Sequence, residues 1–270
     1  MNKAVQHFES IAPDHRVSGS FVFACGVAFL ASVGATAYFC RSMCCEMDMP
    51  GGWTMSMMWL RMPGQTWAAS AASFLLMWLV MMVAMMMPSA VPMFLSMGRS
   101  FAGTRTANMV AVLTAVAGGY FAVWLAVGAV VYAAGVAFAA AALGWEPLSR
   151  AVPMLSGASL VAAGLCQLTP RKMASLLRCR VAARCDTGCV GRGRGFLLGC
   201  QEGAACCVCC AAPMMIQLVL GMMNPLVMAG VALAIAAEKL LPRPEIVSRL
   251  IGIAAILAGI GSITGILLTH

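Results

Sequence analysis

Charge is scarce in this chain. Only 10% of its 270 residues are charged, and nine are acidic. A soluble domain carries about a quarter charged residues, so a water-facing surface over most of this sequence is excluded. Histidine is almost missing too: His7, His15 and His270 all lie near the ends. The apolar stretches therefore hold no imidazole, which argues against haem or oxygen chemistry within them. Tetrahedral zinc would need a His or more thiolates than one helix offers. No nucleotide-binding loop, no internal repeat and no soluble domain is visible. Nothing here reads as an enzyme, and nucleic acid is not an expected partner.

What is present is apolar and sulfurous. The chain is 62% hydrophobic, with 24 Met and 13 Cys. A hydrocarbon core of about 30 Å needs about 20 apolar residues per helical crossing. Seven runs qualify: 19–40, 68–95 (interrupted late by Pro88 and Pro92), 108–142, 150–169, 196–222, 225–241 and 249–268. The third is long for one upright crossing, so a kink at Gly118-Gly119 or a projection from the bilayer is expected. The fold class is all-α: a polytopic transmembrane bundle of about seven helices, one membrane domain over 1–270. The lipid bilayer is its first partner.

Net charge is +8, and in a membrane protein its distribution reports topology. With the N-terminus cytoplasmic, 14 of the 17 Lys and Arg fall inside and only Arg41, Arg61 and Arg150 outside. This places a Met/Cys-rich loop, 41–67, outside and a basic loop, 170–195, inside. Ala35-Thr36-Ala37 also has the form of a signal-peptidase site. The apolar run before it is longer than a signal core, and Glu9 and Asp14 precede it, so retention of this span is the expectation.

Sulfur clusters where packing does not require it. Met77, Met81 and Met85 recur at i, i+4, i+8 and stack on one helix face, with Met82 and Met86 beside them. In "GCQEGAACCVCCAAPMM", Cys206, Cys209 and Cys210 share a face that Met214 extends by a turn, while Cys207 points elsewhere. Counting about 1.5 Å per residue from each helix start puts Met77 to Met81 and Cys206 to Cys210 at similar depth, near the midplane. Thiolate with thioether selects Cu(I), and a helical C-x-x-C-C has no loop to wrap an iron–sulfur cluster. Met also fills cores, and free Cys packs as a small hydrophobe, but neither habit explains the clustering. Glu202, one turn before Cys206, would balance metal charge or accept thiol protons; pairing with a cytoplasmic Arg is the other reading.

The outer loop holds seven Met (43, 47, 49, 55, 57, 58 and 62) and three Cys (40, 44 and 45). Solvated thioethers suit exchangeable Cu(I) capture, because they carry no proton. A disulfide with Met and Trp lying on the membrane surface is the alternative. Cys166, Cys179, Cys185, Cys189 and Cys200 lie in or near the basic loop, in no zinc spacing.

An ordered set of segments carries a resemblance: "WLVMMVAMMMPSAVPM" (78–93), "AAGLCQLTPRK" (162–172), Cys179-Arg180, "CCVCC" (206–210), "GMMNPLVMA" (221–229) and "AEKLLP" (237–242). Together they resemble a family of predicted metal-binding bacterial integral membrane proteins, a domain of unknown function often labelled copper chaperone. The match covers roughly residues 70–255. The family's thiols fall on Cys206, Cys209 and Cys210, and its Met-Pro segment on Met85, Met86 and Pro88. This chain departs at Ser175 (usually Cys), Cys166 (usually Tyr) and Ala211 (usually Trp), and the first departure removes a cytoplasmic Cys pair. Metal binding is what the resemblance implies.

The combined expectation is a Cu(I)-handling membrane protein. Met47 and Met49 would collect the ion, Met77, Met81, Met85 and Met86 relay it, and Cys206, Cys209, Cys210, Met214 and Glu202 hold it. A metallochaperone or the subunits of a membrane enzyme would be its protein partners. An assembly subunit of a membrane metalloenzyme and a mercury or silver permease are the alternatives.

Overall fold

A computed structural model describes residues 17–42, 46–61, 64–100, 106–180 and 191–269. These form eight helices and one small hairpin. In chain order they are α1 (Val17–Ser42), β1 (Glu46–Met49), β2 (Trp53–Ser56), a 3-10 turn (Met57–Trp59), α2 (Trp67–Ser100), α3 (Thr106–Gly144), α4 (Glu146–Gln167), α5 (Pro170–Arg180), α6 (Arg192–Leu220), α7 (Pro225–Leu240) and α8 (Pro244–Thr269). Six of them, α1 to α4, α6 and α8, are long and apolar enough to cross a membrane. The chain is thus an all-α, multi-pass helical bundle. The expected span at 225–241 is the 16-residue helix α7, about 24 Å long. Large apolar side chains point outward along the spans, Val130 at 69% and Leu257 at 64% exposure among them. In water this would be costly; in lipid it is the required arrangement.

Three local features differ from expectation, each for a physical reason. Pro88 and Pro92 do not end α2, which runs through both to Ser100; Ser89 donates to the Met86 carbonyl at 3.0 Å and Ser96 to that of Met93 at 2.8 Å. Neither hydroxyl reaches the carbonyls the prolines leave without a donor, those of Ala84 and Pro88; packed neighbours make such prolines tolerable in membrane helices. The 39 residues of α3 are one unbroken helix. The basic segment after Thr169 begins as a helix, α5, because Pro170 stands at a first-turn position where its missing N–H costs nothing.

Glycine brings α3 and α6 into contact. Gly195, Gly199 and Gly203 recur every four residues along α6 and face Val112, Val116 and Tyr120 of α3. A Cβ on Gly199 would collide with the Val116 carbonyl, so only glycine permits this approach. Between lipid-facing helices no hydrophobic gain drives association, and such close packing takes its place. Gly199→Val is expected to lower stability by about 3 kcal/mol, read as a fall in the thermal midpoint in mild detergent. Gly230→Val, where a Cβ would meet open space, is the matched control and should change little.

The Met-rich loop does not hang free. Its described part is an antiparallel hairpin with Met47 opposite Met55 and Met49 opposite Trp53, so these four share one face. That face lies on α3: Met49 and Met55 are buried against Ala139 and Ala142. Gly51, at φ 106°, sits against the backbone of Ser149 and Arg150 in α4. The Trp53 indole donates to the Ser149 carbonyl at 2.9 Å. That carbonyl lacks its usual helical donor because Pro153 stands four residues on. The expectation of solvated capture thioethers is therefore overturned at Met49, while Met47 is half-buried on the same packed face.

Candidate metal centre

Cys206, Cys209 and Cys210 lie fully buried on one face of α6. The Cys210 sulfur is 3.6 Å from that of Cys209 and 3.8 Å from that of Cys206. Cys210 thus belongs to two thiol pairs. Cys207 is half-buried on another side of the helix.

Two donors converge on Cys206. The Tyr120 hydroxyl of α3 donates to its sulfur at 2.9 Å, and the Lys239 ammonium of α7 donates at 2.9 Å. A sulfur held by an ammonium and a phenol is charge-matched as a thiolate.

A second cation serves the backbone. Pro213 removes the N–H that would bond the Cys209 carbonyl, and the Lys172 ammonium of α5 donates to that carbonyl instead. Lys172 also pairs with Glu238 of α7 at 2.8 Å, with side-chain exposures of 5% and 2%. Gln167, the last residue of α4, donates to the other Glu238 oxygen. Arg180 donates to the Glu238 carbonyl at 3.3 Å, and Ser248 of α8 to the Gln167 carbonyl at 3.0 Å. Burial pulls the Arg180 guanidinium down, and nearby Glu245 opposes this. Cys179 of α5, half-buried, packs against the same core as the three thiols. Six helices, α3 to α8, meet around these sulfurs.

These contacts place the thiols at the end of the bundle where α4 and α7 stop and α5 begins. The expected midplane meeting with Met77 and Met81 does not occur. Met81 accepts from the Gln217 amide at 3.7 Å, and Gln217 lies seven residues beyond Cys210, about 10 Å along the axis. Further along α2, Phe94 packs on Tyr120, ring centroids 6.1 Å apart, and Tyr120 contacts Cys206. The two helices are antiparallel, with the Pro88–Phe94 turns of α2 at thiol height. Depth counted from helix starts failed because α2 and α6, with 34 and 29 residues, overrun the bilayer. Met77, Met81, Met85, Met86 and Met214 are nonetheless buried in the same core as the three thiols. Met85 and Met86 stand a turn nearer the thiols than Met81 does.

Among the described residues, no three His, Cys, Asp or Glu groups are arranged to hold one metal ion. The donor set fits a soft ion of low coordination better than a tetrahedral one: two adjacent sulfurs, with thioethers in the same core.

Comparison with known proteins agrees with this chemistry. Residues 75–262 match the family model PpoB2, described as a copper chaperone. The chain belongs to this copper chaperone family. The matched segment runs from α2 into α8 and includes every sulfur and cation of the site. No curated protein and no solved structure matches the chain.

Glu202 is half-buried one turn before Cys206. Cys40 is buried, Cys166 exposed and Cys200 half-buried. Met43, Cys44, Cys45, Met62, Cys185 and Cys189 lie outside the described residues. Sequence reasoning missed Tyr120, Gln167, Lys172, Gln217, Glu238 and Lys239. Lys172 and Lys239 had been counted only among the 14 inside charges, yet Lys172 is buried and Lys239 half-buried. The usable signal was Glu238-Lys239 inside an otherwise apolar helix, where an ionisable group needs a reason.

Proposed function

We propose that this chain binds Cu(I) at its buried thiols and moves it across, or delivers it from, a bacterial inner membrane. The observation that carries the reading is the pair of sulfur contacts sharing Cys210, at 3.6 and 3.8 Å, in a pocket closed by Tyr120 and Lys239. Copper is the cargo. It travels through the core past Met77, Met81, Met85 and Met86, with Met214 near the thiols. Cys206 and Cys210 receive it, Cys210 and Cys209 take it next, and Cys179 leads on toward α5 and a metallochaperone or enzyme subunit at the basic, cytoplasmic end. Exchange through a shared ligand suits a carrier, because the ion is never released bare. Glu202 lies on the same side and tunes the local charge.

The test is copper content. Protein purified under reducing conditions with Cu(I) is expected to retain about one ion per chain. The Cys206→Ser, Cys209→Ser, Cys210→Ser variant should retain under a tenth of that while keeping its helical circular dichroism. Equal copper in the two proteins ends the proposal.

A further inference from the structure

We propose that Met81 and Gln217 form a second, looser station for the soft monovalent ion, separate from the thiols; this rests on the copper reading above. The observation that carries it is an amide only half in use. The Gln217 side chain is fully buried in the bundle. Its Nε2 donates to the Met81 sulfur at 3.7 Å, and a thioether is a weak acceptor. Its Oε1 is buried with no hydrogen-bond partner among the described residues. An acceptor stranded in this way costs stability, and a buried orphan of this kind points to an ion or water that it serves. A buried water takes two to four polar partners, and the side chains stacked about this amide are thioethers.

On α2, Met77 and Met85 stand a turn to either side of Met81, and all three are buried. On α6, Cys206, Cys210, Met214 and Gln217 follow one another at spacings of four, four and three residues. They therefore form one row along one helix face, and all four are buried. The row starts at the thiols and ends at the amide, about 10 Å beyond Cys210. Thioether sulfur with a Gln oxygen is a copper donor set: the soft sulfur bonds the ion, and the oxygen serves as a weak, long axial ligand. The oxygen also supplies the negative end of a dipole to a cation deep in the bundle. Binding here displaces no proton and moves no electron, because thioether and amide are neutral donors. The ion is held loosely and passes on to the thiols, so purification empties this station first. The other role open to Gln217 is a hydrogen bond that ties α2 to α6, and it predicts different results.

The experiment uses the full chain in mild detergent, carrying Cys206→Ser, Cys209→Ser and Cys210→Ser, with Ag(I) as the redox-stable monovalent probe. Methionine methyl groups are isotope-labelled for NMR, and Met81→Leu assigns the Met81 signal. Titration at equilibrium with Ag(I) is expected to shift that signal. Adding Gln217→Leu should weaken the midpoint about tenfold, the low end of the loss when a metal ligand's partner is removed. The thermal midpoint should not fall, since the orphaned oxygen goes with the amide. Gln217→Met returns a soft donor of similar volume and should stay within about threefold of the parent. Should Gln217→Leu not fold, the Met81 signal of the parent still decides. Should the parent not fold, the same signal is read in wild type beyond the first equivalent of Ag(I). A Met81 signal that does not move, or a midpoint unchanged by Gln217→Leu, overturns the station and leaves copper at the thiols standing. Equal weakening by Gln217→Leu and Gln217→Met, with the thermal midpoint falling in both, overturns it as well, because the amide is then a tie between helices. Failure of the copper reading is a separate result: equal copper in purified wild type and the triple-serine chain.

Discussion

Replacing Glu238 by leucine is expected to destabilise the protein by about 3–5 kcal/mol, the cost of leaving a buried charge without its partner. The stranded group is Lys172, whose side chain is only 5% exposed and whose other contact is the Cys209 carbonyl. Gln167 also loses its acceptor. Its remaining side-chain oxygen already lacks a partner, so the whole amide would be unpaired. The double variant Lys172→Met, Glu238→Leu should recover most of the loss, since a buried ion pair exchanged for apolar groups of similar volume is often neutral. Recovery will be incomplete, because the Cys209 carbonyl freed by Pro213 would then have no donor. Denaturant midpoints in mild detergent measure both. A double variant no more stable than Glu238→Leu alone would show that the pair does not hold α5 against α7.

The bundle was largely legible from hydropathy, and the reason is physical: lipid leaves the chain no alternative to helices with apolar surfaces. Apolar runs placed α1, α4, α6 and α8 within a few residues of their observed bounds. Breakers were less reliable. Pro170 does separate two helices, whereas Pro88 and Pro92 do not. The difference lies in the surroundings: the Pro88 and Pro92 turns lie in the packed core beside Met85, Met86 and Phe94, and such neighbours let a helix run on past a lost N–H. Helical spacing put Cys206, Cys209 and Cys210 on one face, as found. It could not supply the height of α2 against α6, since spacing gives rotation about an axis and says nothing about sliding along it. Tyr120, Lys172 and Lys239 come from three other helices, and no local pattern joins them to the thiols. Met49 and Met55 misled because their two strands are too short to look like a hairpin by alternation alone.

The sharpest functional contrast is expected between adjacent cysteines. Cys206→Ala should weaken Cu(I) binding at least about 100-fold, beyond the 10- to 100-fold typical of losing a partner of a metal ligand. Cys207→Ala should change it less than about threefold, because Cys207 sits half-buried away from the cluster while Cys206 touches Tyr120, Lys239 and Cys210. Cys210→Ala should match or exceed the Cys206 loss, since it removes the sulfur common to both pairs. Cys209→Ala should spare initial capture by Cys206 and Cys210 yet slow transfer to a thiol acceptor, since the next sulfur toward Cys179 is gone. Competition with a Cu(I) chelator gives the affinities, and stopped-flow transfer to a soluble thiol acceptor gives the rates. An equal drop for Cys206→Ala and Cys207→Ala would mean that the thiols act by number alone. The arrangement of three sulfurs around Lys239 and Tyr120 would then have no part in holding the metal.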